Sequence, residues 1–274
     1  MSTVGYLVIF VLVMGAALAL SYAVEHKFRP GPAEQAHIQS VFAFIGSGYG
    51  VLLGILVFLA LQNYNDAEES AATEASAVIS EYRIVQVLPP DARRNVQRSM
   101  YCYAQIIINE EWPTLEEGGR APTEPGDLWS RRAWRELGGM PTNTPTLAET
   151  YQVAIDTWAE RAEARDARLV FAGPSIPASV WVVVYLGAAV VVVLTGLFPQ
   201  QRHRSRLLVF AGAISVLGAV VVVLTFIQRP YTQIAPYAME NAVRVMKGEP
   251  VDDNVFQPCA IEPPLPPLPA ATAN

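Results

Sequence analysis

Four stretches of the chain carry no charged residue: Val4–Ala23, Val41–Leu61, Val180–Phe198 and Leu207–Ile227. Each is a continuous apolar run of 19 to 21 residues, not an alternating one. An apolar helix of about 20 residues crosses the hydrocarbon core of a bilayer. Only helices and closed barrels satisfy every backbone group there. The runs therefore predict four transmembrane helices in two pairs. The first pair is joined by Val24–Ser40 and the second by the short Pro199–Arg206, which leaves room for a tight hairpin alone. Ala17-Leu18-Ala19 resembles a signal cleavage site, but no Lys or Arg precedes the first run, and a signal peptide needs a basic leading segment.

The pattern continues beyond the second run. From Gln62 to Leu88 there is no Gly or Pro, and Ala67, Ala71, Ala75, Val78, Tyr82 and Val85 recur at spacings of three and four. This predicts one long helix from about 39 to 87, ended by Pro89-Pro90 and projecting about 40 Å past the membrane at 1.5 Å per residue. A second helix should begin at Pro90-Asp91, with Val96, Met100, Tyr103 and Ile107 as its apolar face, and end at Glu110-Glu111-Trp112-Pro113. Thr114–Pro145 is rich in Gly and Pro, with Trp129 and Trp134 in a short helical piece. A third helix runs from Thr146 to about Val170, with an apolar stripe of Leu147, Tyr151, Ala154, Trp158, Ala162 and Leu169. Arg165 falls inside that stripe. A buried arginine needs a carboxylate partner, and Glu74, Glu81, Glu110 and Glu111 are the candidates, with Arg168 one turn further on. The fold class is therefore an all-α membrane protein with four transmembrane helices in two pairs and an extramembrane helical bundle between them. Its parts are a first helix pair (1–61), a helical domain (62–179), a second pair (180–227) and a tail (228–274) with an amphipathic segment and a Pro-rich, disordered end.

Charge adds orientation and excludes several functions. Only 16% of the chain is charged, against about 25% in an ordinary soluble domain. The net charge is −6 and no Lys/Arg run could track phosphates, so nucleic acid is excluded as a partner. The short loops hold Lys27, Arg29, Arg202, Arg204 and Arg206, which favours placing them in the cytoplasm. Residues 62–179 and both termini then face outward from the inner (plasma) membrane. The middle region carries eighteen acids against eleven arginines, an acidic surface. Cys102 and Cys259 share a side in either orientation. An oxidising side allows a disulfide between them; the alternative is two unrelated buried thiols.

Chemistry is sparse. His26, His37 and His203 have no metal-like spacing, and Gly-x-Ser-x-Gly, P-loop and His-Glu-x-x-His patterns are absent. No enzyme, cofactor or metal is expected. The four runs hold no ionisable group, which weighs against a proton-coupled pump but leaves a pore with apolar and backbone lining open. Gly46, Gly50 and Gly54 form a small-residue seam, read either as lining an oligomer axis or pore or as a helix contact within one subunit. Phe42 extends this set toward one end, and Asn63, Asn65 and Asp66 lie at the other, the mouth of such a pore.

Gln62-Asn63-Tyr64-Asn65-Asp66-Ala67-Glu68, Glu74-Ala75, Tyr82-Arg83 and Leu88-Pro89 together resemble a bacterial bestrophin-like membrane family, a domain of unknown function. Glu110-Glu111-Trp112-Pro113, Arg165-x-x-Arg168-Leu169 and Arg229-Pro230-Tyr231 add to the resemblance, which covers about residues 40–240. At Tyr231, Thr232 and Gln233 the chain departs from the family's Pro-Phe, small residue and Gly. The resemblance implies a homo-oligomeric channel in the lipid bilayer for an inorganic anion, with two helix pairs around a large helical domain. It also implies a cytosolic domain, opposite to the charge-based placement. The other reading is a non-conducting scaffold or sensor whose acidic domain binds a partner.

Overall fold

The structure is a computed structural model that describes residues 3–27, 31–119, 124–139, 142–196, 203–249 and 253–259. The chain is helical almost throughout, with no strand among the described residues. Nine α-helices are described: α1 (Thr3–Lys27), α2 (Pro32–Ile84), α3 (Pro90–Ile106), α4 (Trp112–Glu116), α5 (Glu124–Gly138), α6 (Pro145–Phe171), α7 (Ala178–Gly196), α8 (His203–Ile227) and α9 (Tyr237–Gly248). Four are long and apolar enough to cross a membrane: α1, α2, α7 and α8. The Pro-rich end, and the residues 199–202 of the expected hairpin, lie outside the described residues.

The long helix is α2. It begins earlier than the pattern predicts, at Pro32, and closes in a 3₁₀ turn, Val85–Val87. Leu88 is then extended, as a residue before Pro89-Pro90 must be. Pro90 opens α3, where its missing N–H costs no helical bond. The predicted stop at Glu110–Pro113 is a correction: the helix widens into a π turn at Ile107–Glu111 and runs on into α4. Pro113 ends nothing because it sits in the first turn of α4. Thr144 caps α6, its Oγ1 accepting from the Leu147 N–H at 3.3 Å.

The chain divides into two compact units. The first comprises residues 1–64 and 174–229. Its core takes Tyr6, Phe10, Met14 and Ala17 from α1, Leu53 and Ala60 from α2, Trp181, Val184, Tyr185, Ala188 and Val192 from α7, and Phe210, Leu217, Val221 and Leu224 from α8. Tyr185 donates from its hydroxyl to the Tyr6 carbonyl at 2.9 Å, and the Tyr6 and Trp181 rings lie 4.5 Å apart. Close approach here depends on glycines of α7. A Cβ on Gly196 would stand 1.6 Å from Ser21 Oγ, and one on Gly187 would stand 2.3 Å from the Tyr49 ring. Small residues of this kind let membrane helices meet backbone to side chain without a gap. Helix α2 touches the unit lightly, through Tyr49, whose hydroxyl donates to the Val184 carbonyl at 2.6 Å, and through Leu53 and Ala60.

The second unit comprises residues 65–173 and 230–274. All six residues of the predicted α2 stripe, Ala67 to Val85, are buried, as are Val96, Met100, Tyr103 and Ile107. Tyr231 is 1% exposed and donates to the Ala67 carbonyl at 2.9 Å. Trp112 lies edge-on to it and donates from Nε1 to the Ile234 carbonyl at 3.0 Å. The departure from the family pattern at Tyr231 thus fills a buried, hydrogen-bonded position.

Gly187→Ala and Gly196→Ala should each lower the stability of the detergent-solubilised protein by about 1–3 kcal/mol, the usual cost of overpacking. Gly212→Ala, on an exposed face with nothing within 4 Å of the new methyl, should leave the thermal midpoint within error. The three midpoints, read by circular dichroism, check this.

Candidate functional site

Two features carry the sequence-level candidates. The first lies within the second unit. On α6, Arg161, Arg165 and Arg168 are spaced by four and three residues and so share one helical face. All three are at most 4% exposed. The buried stripe of α6 is therefore Ala154, Thr157, Arg161, Ala164, Arg165 and Arg168, which corrects the predicted apolar stripe: Leu147, Tyr151, Trp158, Ala162 and Leu169 are only half-buried. The face is held inward by charge pairing.

Four carboxylates meet the arginines, three of them buried. Arg161 Nε donates to Glu81 Oε1 at 2.7 Å, and its Nη2 to Ser130 Oγ at 3.1 Å. Arg165 Nη2 donates to Glu111 Oε1 at 2.7 Å and lies 3.3 Å from Asp127. Arg168 donates from Nε to Glu74 Oε2 at 2.5 Å and from Nη2 to Glu111 Oε2 at 2.7 Å. Tyr103 completes the group. Its hydroxyl donates to Glu74 Oε1 at 2.5 Å, and its ring lies 4.6 Å beneath the Arg161 guanidinium. Burial, reinforced by Glu74, pushes the Tyr103 hydroxyl well above its ordinary pKa, so it stays a donor. Burial works against the Arg168 charge, but Glu74 and Glu111 outweigh it and hold that pKa above its ordinary value.

Of the four glutamates named as partners, Glu74, Glu81 and Glu111 are in this network. Glu110 is not: it is exposed, because in the π turn Ile107–Glu111 the inward position falls to Glu111. Five participants had not been singled out as partners, namely Arg161, Tyr103, Asp127, Ser130 and Gly126. The last is a close-approach glycine on α5. A Cβ there would fall 2.3 Å from Arg165 Nη1 and 2.6 Å from Glu111 Oε1. The spacing of the three arginines was the available signal for Arg161. Nothing local marks Gly126.

The second feature is the exposed side of α2. Only 11% of its apolar window is buried, against 22% to 33% for the other three helices. A Cβ on Gly46, Gly50 or Gly54 would meet nothing within 4 Å, so none of the described helices packs closely on the seam. The residues beside it that pack are Tyr49, Leu52, Leu53, Leu56, Val57 and Ala60. Phe42 is half-buried. Asn63 is half-buried with Nδ2 lacking a hydrogen-bond partner among the described residues. In the second unit, Asn65 is exposed, and Asp66 borders an open groove of about 340 Å³ with Glu69, Glu160 and Glu163. Among the described residues no cluster of His, Cys, Asp and Glu has the makings of a metal site. Cys102 and Cys259 are joined by a disulfide, with Cα atoms 5.4 Å apart.

A family model for the bestrophin-like domain matches residues 7–236. The crystal structure of a bacterial bestrophin homologue from Klebsiella pneumoniae, carrying a single leucine-to-threonine mutation, is similar in fold. The TM-score is 0.62 at 15% identity, covering 90% of this chain and 99% of that one. No curated protein matches the chain. The chain belongs to the bestrophin-like family, and its fold is that of the bacterial homologue.

Arg168→Met strips Glu74 and Glu111 of their common partner and should destabilise the fold by about 3–5 kcal/mol, the cost of an uncompensated buried charge. Gly126→Ala should also destabilise it, by displacing Arg165 from Glu111. Glu110→Gln, outside the network, should stay within about 0.5 kcal/mol of wild type. Denaturant titration of the solubilised protein followed by helical signal reads all three.

Proposed function

Proceeding from membership of the bestrophin-like family, we propose that the protein is a homo-oligomeric ion channel of the inner membrane, permeable to an inorganic anion. The observation that carries this is the bare side of α2. An apolar window with three aligned glycines and 11% of its residues buried among the described residues is left for other copies or for a pore axis. In this reading α2 lines the pore from Phe42 to Gly54. Asn63, Asn65 and Asp66 form its mouth. The apolar windows hold no ionisable side chain, so selectivity falls to backbone, apolar constriction and rim groups. Asp66 opposes an anion and so sets how strongly anions are preferred. No enzymatic role is proposed.

The domain between the pairs, 62–179, is assigned to the extracytoplasmic side with both termini. Two observations support that side: the basic residues of the short loops and the disulfide between Cys102 and Cys259, a bond of oxidising compartments. A second reading, a non-conducting scaffold or sensor, draws on the groove of Asp66, Glu69, Glu160 and Glu163, whose four carboxylates suit a basic partner.

Halide flux from proteoliposomes decides between them. The channel reading expects flux above protein-free vesicles and a shifted ion preference in Asp66→Asn. Absence of flux from folded protein inserted in both orientations would overturn an open channel and favour the scaffold. For orientation, Ser76→Cys in a background with both native cysteines changed to serine should react with an impermeant maleimide in intact spheroplasts. Lys27→Cys should react only after lysis. The reverse pattern would place the domain in the cytoplasm.

A further inference from the structure

The described end of the tail forms a strap over α3 whose anchors fall into two kinds. The covalent anchor is the Cys102–Cys259 disulfide. The others are local: Arg98 donates to the carbonyls of Asn254, Gln257 and Pro258 at 3.2–3.4 Å, and the Phe256 ring meets Tyr101 edge-on at 5.1 Å. Val255 is the one fully buried side chain of the strap. The Arg98 bonds are exposed and long, the kind that water replaces at little cost. The disulfide joins residues 157 apart in sequence, so cutting it frees the strap from a very long closed loop.

The two sulfurs are not equally reachable. Cys102 is 0% exposed on α3. Cys259 is half-buried and borders an open groove of about 410 Å³, lined also by Tyr101, Gln105, Asn109, Phe256 and Gln257. A thiolate must approach the sulfur it attacks along the S–S axis, so access selects the site of attack. The groove opens on Cys259 and leaves Cys102 as the leaving group.

We propose that this disulfide is a redox-operated latch, opened from the Cys259 side by a dithiol reductant docked in the groove. A thiolate of the dithiol attacks Cys259 Sγ. The S–S bond breaks, Cys102 departs as a thiolate and takes up a proton. The second thiol of the reductant then attacks the mixed disulfide, leaving the reductant oxidised to its own disulfide and Cys259 as a thiol. The two electrons that reduce the cystine come from the dithiol. The product is a chain whose strap has lost its covalent anchor and keeps local contacts such as those of Arg98, Phe256 and Val255, and it lets go. The buried ion network takes its partners from α2, α3, the π turn, α5 and α6, and none of the ion pairs or hydrogen bonds named above for it comes from the strap.

The test uses the full chain purified without reductant, with dithiothreitol as the probe and hydrogen–deuterium exchange as the readout. Thiol counting should find none before reduction and two after. Amides of 254–259 should exchange at least tenfold faster after reduction, with α6 unchanged and the helical signal retained. A brief pulse of glutathione should yield the mixed disulfide on Cys259. The variant with both cysteines changed to serine should exchange in the strap like the reduced protein and ignore dithiothreitol. Two free thiols as isolated, an unchanged strap, collapse of the whole helical signal, or glutathione on Cys102 would each overturn the latch. None of these readouts involves ion flux, so the latch and the channel stand or fall separately.

Discussion

Three arginines on one face of α6 set the terms for the second unit. Each guanidinium taken out of water costs several kcal/mol, and only closely placed carboxylates offset that. The partners come from far along the chain, Glu74 and Glu81 on α2 and Glu111 in the π turn after α3. The pairing therefore fixes the rotation of α6 against α2 and of α3 against both. An apolar face would tolerate slippage by a turn. A face whose charges at 161, 165 and 168 must meet three particular glutamates would not.

The π turn follows from the same requirement. A regular α-helix through Ile107–Glu111 places successive side chains about 100° apart. One extra residue in the turn shifts that register, and π turns often mark positions where a side chain must be aimed. Here the aimed group is Glu111, which bridges Arg165 and Arg168 with its two oxygens. Gly126 then closes over the pair because no Cβ blocks it. Tyr103 lies under the guanidinium planes and donates to Glu74, so it supplies both a ring face and a hydrogen bond. Tyr103 thus serves the charged core twice, through its ring and through its hydroxyl.

Much of this fold was legible in the sequence, and the limits have physical causes. Charge-free runs of bilayer length marked the four long apolar helices because hydrocarbon excludes charge. The α2 stripe and the α3 face followed from three- and four-residue spacing, since a helix folds that spacing onto one side. Glu111 could not be told from Glu110, because the choice depends on the π turn. Arg161 was hidden by treating the buried face of α6 as apolar, although its own spacing to Arg165 and Arg168 was helical. Gly126 had no local signal, because its role is set by what lies across from it.

Small residues on α2 illustrate the remaining limit. Gly46, Gly50 and Gly54 recur every four residues, and so do Ala67, Ala71 and Ala75. The alanines are buried within the second unit, and a Cβ on any of the glycines would meet nothing within 4 Å among the described residues. Periodicity reports which residues share a face, but what covers the face depends on surfaces elsewhere. For Ala67 the cover includes Tyr231, whose hydroxyl reaches its carbonyl. For the glycines the described residues offer none. Glycine in a helix interior costs about 1 kcal/mol relative to alanine, and three in a row along an uncovered face return nothing to the lone protomer. The glycines sit in the apolar window that packs least on its own protomer, 11% buried against 22% to 33% for α1, α7 and α8, so their cost is not offset by packing among the described residues.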